Sequence, residues 1–259
     1  MGFSQRVGGD SKNFIMNELM RYFLALVLLV GSMGSVLADD GGDDFGEFEE
    51  EFRDDGKDVA VADPLLYCNR VMHQVNDKLY FWVVKPTATG YGKVLPEAVR
   101  LPVRRAFKNV GFPSRCVNNF LQGKFANAGT ECSRFVINTT VGVVGLFDPA
   151  QSRWGIEARP EDFGQTLGHY GAGDGFYLVL PALGPSNLRD AFGKIPDHFL
   201  NPISYLDPLP VRLGVRVGER VNYTSLHLGE YEGLKKDAMD PYTFFRSAYK
   251  QYRDGAIQQ

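Results

Sequence analysis

Residues 63–82 read DPLLYCNRVMHQVNDKLYFW, and the apolar members of this stretch recur three or four positions apart. That spacing places them on one side of an α-helix, because about 3.6 residues complete a turn. The residues of this stripe are Leu65, Cys68, Met72, Val75, Leu79 and Trp82. Asp63 and Pro64 are typical of an N-cap and a first helical position, so we expect an amphipathic helix to begin there.

The same helical spacing continues along most of the chain, divided into segments by prolines and glycines. Residues 84–87 should end the first helix, since Pro86 lacks an amide proton and its ring crowds the preceding turn. Residues 176–180 favour one short strand. We therefore predict a fold class that is mainly α, with little or no β. The further predicted helices run from Pro96 to about Val110, Pro113 to about Leu121, about Phe125 to Thr140, Glu161 to Tyr170, Ser186 to about Leu200, beyond Pro210 to about Asp237, and from Pro241 onward.

The composition indicates a globular body. The 259 residues suit one domain, or two at most, and 44% of them are hydrophobic, yet the mean hydropathy is -0.20. These values exclude a polytopic helical membrane protein and leave peripheral or partial membrane association open. Residues 59–259 carry a formal charge of +5, an excess that suits anionic head groups and is too small to indicate nucleic acid.

Residues 1–38 are predicted to be a secretory signal peptide. Arg21 precedes an uninterrupted apolar run at residues 22–30, and small residues then lead to Ala38, after which we expect cleavage. Nine helical residues extend only about 14 Å, roughly half the hydrocarbon thickness of a bilayer, so a stable span is disfavoured. No cysteine directly follows the apolar run, so lipidation of a new N-terminus is not expected.

Residues 39–62 are predicted to be a disordered acidic tether, because residues 39–58 hold 11 acidic side chains against two basic ones. Residues 63–259 then form the folded domain. The three cysteines, Cys68, Cys116 and Cys132, cannot all pair within the chain. Cys116 and Cys132 are candidates for a disulfide if their predicted helices form a hairpin; three small buried thiols are the alternative.

Residues 139–149 read TTVGVVGLFDP, an apolar stretch that is interrupted by glycines and uncharged until Asp148. A buried turn explains this pattern, since glycine permits tight backbone bends. A hairpin exposed to lipid explains it equally well, because the valines, Leu146 and Phe147 offer an apolar surface. The residue pattern alone does not separate the two interpretations.

The sequence motifs indicate no catalytic residue, no metal site and no cofactor, so we do not expect an enzyme. No serine lies in a Gly-x-Ser-x-Gly frame, and the four histidines never have the spacing of a helical zinc pair. Gly171, Gly173 and Gly175 are not followed by the Gly-Lys-Ser/Thr of a phosphate loop, which favours a bent loop. His169 and Tyr170 are expected to pack within the body.

Several longer motifs are more specific. Residues 162–171 read DFGQTLGHYG and residues 118–123 read NNFLQG, and Leu180-Pro181 and Gly184-Pro185-Ser186 follow. In these motifs and in their order, the chain resembles the MlaA/VacJ family of outer-membrane phospholipid-transport lipoproteins, from about Asp63 to Arg253. The residues that we assign to the family motif are Asn69, Arg70, Phe163, Gly164, Leu167, Gly168, Tyr170, Gly171, Arg189 and Asp190.

The resemblance implies a ring of amphipathic helices in the periplasmic leaflet of the outer membrane, enclosing an amphipathic channel. Mislocalised phospholipids would leave the outer leaflet through this channel unaltered, which maintains lipid asymmetry. The implied partners are an outer-membrane porin trimer and a soluble periplasmic lipid carrier that feeds an inner-membrane ABC transporter. The hairpin bordering the lipid path would consist of Gly142, Val143, Val144, Gly145, Leu146 and Phe147, with Gly142 and Gly145 permitting its movement.

Two other functions remain open from the sequence. A soluble periplasmic lipid-binding module is the main alternative, because no lipidation cysteine was found. An envelope hydrolase is the third, motivated by His169 and Asp174 in a glycine-rich loop.

Overall fold

A computed structural model describes residues 61–259 of the chain. The predicted signal peptide, residues 1–38, and nearly all of the predicted tether, residues 39–62, lie outside the described residues, so both stay predictions. Within the described part the chain is mainly helical, which confirms the predicted fold class.

The helices follow one another with short connections, and the only regular β-structure between residues 61 and 259 is a two-stranded sheet. Strands β1 (Tyr177–Leu180) and β2 (Gly184–Asn187) pair antiparallel. A π-helical turn (Tyr80–Val84) joins α1 to α2, and a 3₁₀ turn (Pro202–Tyr205) lies between α8 and α9. The α-helices are α1 (Leu66–Leu79), α2 (Lys85–Val94), α3 (Glu97–Val110), α4 (Phe112–Leu121), α5 (Phe125–Thr140), α6 (Pro149–Trp154), α7 (Phe163–His169), α8 (Leu188–Leu200), α9 (Leu209–Leu226), α10 (Glu230–Asp237) and α11 (Pro241–Gln258).

The chain stays helical through residues 84–87, so the predicted end of the first helix is wrong. The backbone widens into the π-helical turn just before Pro86, which then occupies the first turn of α2. A proline inside a regular α-helix crowds the carbonyl group four residues earlier and deprives it of its donor. A wider turn at this point accommodates the proline without ending the helix.

Two other helix starts differ from the prediction. Helix α1 begins at Leu66, while the Asp63 carboxylate accepts a hydrogen bond from the Asn69 side chain instead of capping a backbone amide. Helix α8 is capped by Asn187, whose side chain accepts from the Asp190 amide. Ser186, the predicted cap, lies in β2.

The sequence pattern did not predict one helix break and one short helix. The long helical region beyond Pro210 is divided into α9 and α10 at Gly229, which has a φ of 99°. Helix α6 was also missed, although Asp148 caps it and Gly155 ends it in a left-handed conformation. An aspartate, then a proline, then a glycine six residues later is a typical signature of such a short helix.

The helices pack in a circuit that returns to its starting point. Helix α3 packs on α4, α4 on α8, α8 on the 3₁₀ turn, that turn on α9, and α9 back on α3. Helix α7 lies against α4, α8 and α11, and α11 also contacts β2. This arrangement agrees with the expected ring-like single domain.

The interior of the described domain is polar. Of residues 61–259, 23 buried residues are polar or charged, and Asn118, Asn119 and Glu131 are completely buried. Large apolar side chains are exposed at 29 positions. Because burying polar groups costs free energy unless they are paired, and large apolar patches mark contact surfaces, this distribution is the reverse of that in an ordinary soluble domain. The buried apolar side chains larger than alanine are Tyr177, Val179, Ile203, Tyr223, Tyr242 and Phe245.

Candidate functional site

The glycine-punctuated stretch forms a tight loop, residues 141–147, between α5 and α6. The Gly145 amide donates to the Asn138 carbonyl at 2.8 Å, and the Phe147 amide donates to the Gly142 carbonyl at 2.9 Å. The loop is therefore a set of hydrogen-bonded turns that continues α5, and not a β-hairpin. Val144 is 67% exposed. Exposure excludes the fully buried turn, whereas contact with lipid stays a prediction.

Two adjacent valines of this loop have strained backbones. Val143 and Val144 have φ angles of 54° and 59°, in the left-handed region. A β-branched side chain is rarely found there, and each such residue costs on the order of 1–3 kcal/mol. Strain of this kind is concentrated at ligand clamps and switch regions, so it marks the loop as a functional candidate.

The two glycines of the loop are held by close packing. A Cβ atom at Gly142 would lie 2.4 Å from the Asn138 carbonyl oxygen, and one at Gly145 would lie 2.5 Å from the Asn109 Cβ. Gly145 also has a φ of 86°. Because Gly142 and Gly145 lack side chains, the loop backbone can pack closely against Asn138 and Asn109. The role of these glycines in loop movement stays a prediction.

A cavity of about 100 Å³ lies beside the loop, and Gly145 is part of its wall. Most of its lining residues are polar or charged. Asn109 and Asn138, which contact the loop glycines, also line it. The charged side chains of the wall are Arg105, Lys108, Arg115, Arg134, Asp148, Glu161 and Asp162.

The carboxylates of this wall each have a cationic partner. Asp148 is 2.7 Å from the Arg134 guanidinium, and Glu161 is 2.6 Å from Lys124. Burial opposes the charge of Asp148, yet hydrogen bonds from the Gln151 amide, Arg134 and Asn138 lower its pKa below the usual range. The negative charges of the wall are therefore compensated by neighbouring cations. Cationic side chains also outnumber carboxylates in the wall.

A buried ion cluster holds α7, α8 and α11 together next to the cavity. Arg253 of α11 binds Asp162 at 2.6 Å and Asp190 at 2.9 Å, and Arg189 binds Asp190 and Asp174. Burial disfavours the Asp162 carboxylate, but the Arg253 charge and the hydrogen bonds from Arg253 and the Gln165 amide together outweigh burial and lower the pKa of Asp162 to about 2. These ion pairs form a continuous electrostatic link between the three helices.

The family-motif glycines make this cluster possible. At Gly164 a Cβ would lie 2.4 Å from an Asp190 carboxylate oxygen, and at Gly168 it would lie 2.7 Å from Ile257. Phe163 donates its amide to Asp197 at 2.9 Å. These positions connect helices, and their geometry assigns them a structural role.

The other motif residues lie in two further places. Buried Asn69 donates to the Tyr177 carbonyl and accepts from the Val179 amide, which fixes α1 to β1. Arg70 forms an exposed ion pair with Asp240 at 2.7 Å. The remaining three, Leu167, Tyr170 and Gly171, lie at the end of α7 and just after it, and the Tyr170 hydroxyl donates to the Leu121 carbonyl.

The proposed hydrolase pair finds no support in the geometry. Asp174 is committed to ion pairs with Arg189 and Lys250, both at 2.6 Å. His169 is exposed and packs edge-on against Tyr170, which is itself 70% exposed, so the prediction that this pair packs within the body is wrong. Among residues 61–259, no three His, Cys, Asp or Glu side chains converge as a metal-binding group.

Exposed apolar side chains recur at helical spacing on α8. On α8, Phe192 and Phe199 are 61% and 63% exposed, and Ile195 lies between them on the same face. Within the part of the chain that the structure describes, no helix is long and apolar enough to cross a bilayer. The stripe is therefore an apolar face on a helix of only 13 residues.

Comparison with known proteins now identifies the family. Residues 61–256 match the family model described as MlaA lipoprotein. The chain belongs to the MlaA lipoprotein family. Members from Escherichia coli and Haemophilus influenzae, both described as "Intermembrane phospholipid transport system lipoprotein MlaA", are 34% and 30% identical over 74% and 76% of this chain. The alignments cover 77% and 80% of those proteins.

The MlaA fold is also recovered by structure. A solved structure described as "Structural basis for maintenance of bacterial outer membrane lipid asymmetry" superposes with a TM-score of 0.67 at 32% identity. The match covers 76% of this chain and 99% of that one. An uncharacterized protein of Rickettsia conorii is 35% identical over 77% of this chain and 80% of its own length. These matches confirm the recognition made from the motifs.

The cavity wall is the part of the structure that the sequence did not reveal. Arg105 and Asn109 recur at a spacing of four on α3, which was a usable signal for a polar helix face. Arg115 and Arg134 lie on different helices, and nothing in the spacing indicated that α4 and α5 bring them to one wall. Only Gly145, among the predicted hairpin residues, lines the cavity.

Proposed function

We propose that this chain transports phospholipids between membranes, by removing mislocalised phospholipids from the outer leaflet of the outer membrane and passing them to a periplasmic carrier. The observation that carries the proposal is the reversed distribution of polarity, with charged groups around an interior cavity and apolar side chains outside. The names of its MlaA relatives support the same substrate class.

The apolar exterior favours residence in the periplasmic leaflet. Amphipathic helices bind the interfacial region by burying one face among acyl chains, without spanning the bilayer. The stripe of Phe192, Ile195 and Phe199 on α8 fits this mode, since transfer from water gains about 25 cal/mol per Å² of apolar surface. A soluble lipid-binding module would have to keep these faces in water, so it is the weaker alternative.

The cavity and the loop together suit the two parts of a phospholipid. A phosphate group requires cations and hydrogen-bond donors, which Arg105, Lys108 and Asn109 supply on the α3 side of the wall. Acyl chains require an apolar surface, which exposed Val143 and Val144 supply on the adjoining loop. A cavity of about 100 Å³ is smaller than a phospholipid, so passage requires the loop to move. Backbone strain in the loop favours such movement.

No bond of the lipid changes in this mechanism. The protein lowers the barrier by keeping the head group hydrated or ion-paired while the chains stay out of water. The proposal includes two protein partners. One is a porin trimer beside the helical ring, and the other is a soluble carrier that feeds an inner-membrane ABC transporter.

The direct test is to delete the gene and measure phospholipid in the outer leaflet by its accessibility to an external phospholipase or an amine-reactive label. We expect outer-leaflet phospholipid to accumulate, and expression of the intact chain to restore the original level. An unchanged outer leaflet would reject the proposal. Fractionation separates the alternative, since a soluble module would leave the membrane fraction in high salt.

A further inference from the structure

Two of the three cysteines of the chain meet across the α4–α5 hairpin. The Sγ atoms of Cys116 on α4 and Cys132 on α5 are 3.1 Å apart, and both thiols are free. Cys132 is exposed and Cys116 is half-buried, so the alternative of three small buried thiols is wrong. Cys68, on α1, is the third thiol and is also exposed.

We propose that Cys116 and Cys132 are joined by a disulfide in the exported protein, forming a covalent clamp across the α4–α5 hairpin. The inference rests on export, which is part of the proposed function, because disulfides persist in the oxidising envelope and not in the cytoplasm.

The hairpin holds the two sulfur atoms in register without help from the disulfide. One position before each cysteine, the Arg115 Nε donates to the Glu131 carboxylate at 2.8 Å. One turn away, the rings of Phe112 and Phe135 stack at 4.2 Å. Because these contacts fix the same alignment of α4 and α5, bond formation needs only a small side-chain adjustment.

The two thiols differ in reactivity. Burial, followed by the contact with Cys132, raises the pKa of the Cys116 thiol to about 11. The exposed Cys132 is therefore the first to react, as its thiolate attacks a disulfide of an oxidoreductase or of glutathione. The donor disulfide breaks, one donor thiol leaves, and a mixed disulfide forms at Cys132. The Cys116 thiolate then attacks the Cys132 sulfur and releases the second donor thiol, so two cysteines are oxidised and one donor disulfide is reduced.

The clamp would act on the candidate site. Arg115 and Arg134, which line the cavity, lie one and two positions from the cysteines. A bond between α4 and α5 keeps these cavity walls together while the loop at the end of α5 remains able to move. The disulfide would thus hold α4 and α5 rigidly together without restraining the strained loop.

The pairing is tested on the purified mature chain in a glutathione redox buffer, quenched with acid and alkylated. Trypsin cleaves after Arg115, Lys124 and Arg134, so the disulfide joins peptides 116–124 and 125–134. We expect this linked pair, with Cys68 as the only alkylated cysteine. Alkylation of all three cysteines under oxidising conditions would overturn the inference.

Stability provides a second readout. Reduction of the wild type and of Cys68→Ser should lower Tm by roughly 5–10 °C, as expected for a loop of this length, and leave Cys116→Ser/Cys132→Ser unchanged. An equal effect of reductant on the double variant would contradict the clamp.

The same peptide analysis applied to envelopes shows whether the bond forms in cells. The linked pair supports the inference, and free thiols in the envelope overturn it. The outer-leaflet phospholipid measurement does not depend on the cysteines, so failure of the clamp and failure of the proposed transport give different results.

Discussion

At the scale of single residues, Asp197 on α8 is a buried titratable group that should make stability depend on pH. It is 2% exposed and accepts hydrogen bonds from Ser114, Asn118 and the Phe163 amide. Burial and the nearby charge of Asp162 raise the pKa of Asp197 to about 6. A carboxyl whose folded-state pKa is raised contributes stability that is present at low pH and is lost as pH rises through that value.

We therefore predict a pH dependence that belongs to Asp197. Between about pH 4 and pH 7, the unfolding free energy of the wild type should fall relative to that of Asp197→Asn by about 2–3 kcal/mol, at about 1.4 kcal/mol per pKa unit. Asparagine also loses one accepted hydrogen bond, but that cost does not vary with pH. Denaturant unfolding at several pH values measures the difference, and a constant offset would contradict the shift.

Gly145 provides a test of close packing at the loop. Gly145→Ala should destabilise the fold by about 2 kcal/mol or more, because the new methyl group meets the Asn109 Cβ and the φ of 86° strains an alanine. Gly171→Ala is the matched control, since Gly171 has a φ of 85° with no atom near the added methyl. It carries the strain without the clash. Equal Tm losses in the two variants would show that the clash with Asn109 costs nothing.

At the scale of elements, a substitution in the 141–147 loop should impair function without reducing stability. Val144→Asp should impair clearance of outer-leaflet phospholipid several-fold without lowering Tm, because the side chain is exposed, aspartate tolerates the left-handed backbone and a charge in an apolar path is costly. Val144→Asn is the matched control, since asparagine tolerates a left-handed backbone and carries no charge. Loss of clearance with Asp and its retention with Asn would assign the defect to charge. A Val144→Asp protein that unfolds but still clears lipid would remove the loop from the path.

The elements also show which information the sequence contains. Helices α3, α4, α5 and α11 were predicted almost to the residue, because prolines or glycines near their ends agree with the apolar periodicity there. The helical continuity from α1 to α2 was not predictable. The π-helical turn relieves the steric clash of the proline through a local change of backbone register. The cavity wall depends on contacts between α3, α4 and α5, and tertiary contacts have no signature in local spacing.

At the scale of the whole molecule, the outward apolar surface predicts how the protein binds membranes. We expect the mature chain to float with phosphatidylethanolamine vesicles in a density gradient and to stay bound when salt is raised, because apolar burial is not screened by ions. Phe192→Ser/Phe199→Ser should weaken binding by about 2–4 kcal/mol, or roughly 30-fold or more, since the rings are 61% and 63% exposed and burying a whole ring contributes about 1.5–3 kcal/mol. Met239→Ser is the control, because Met239 is fully exposed outside any helical stripe. If salt releases the wild type, or if Met239→Ser weakens binding as much as the double variant, the α8 face does not lie in the membrane, and the helical ring must be held there by a protein partner.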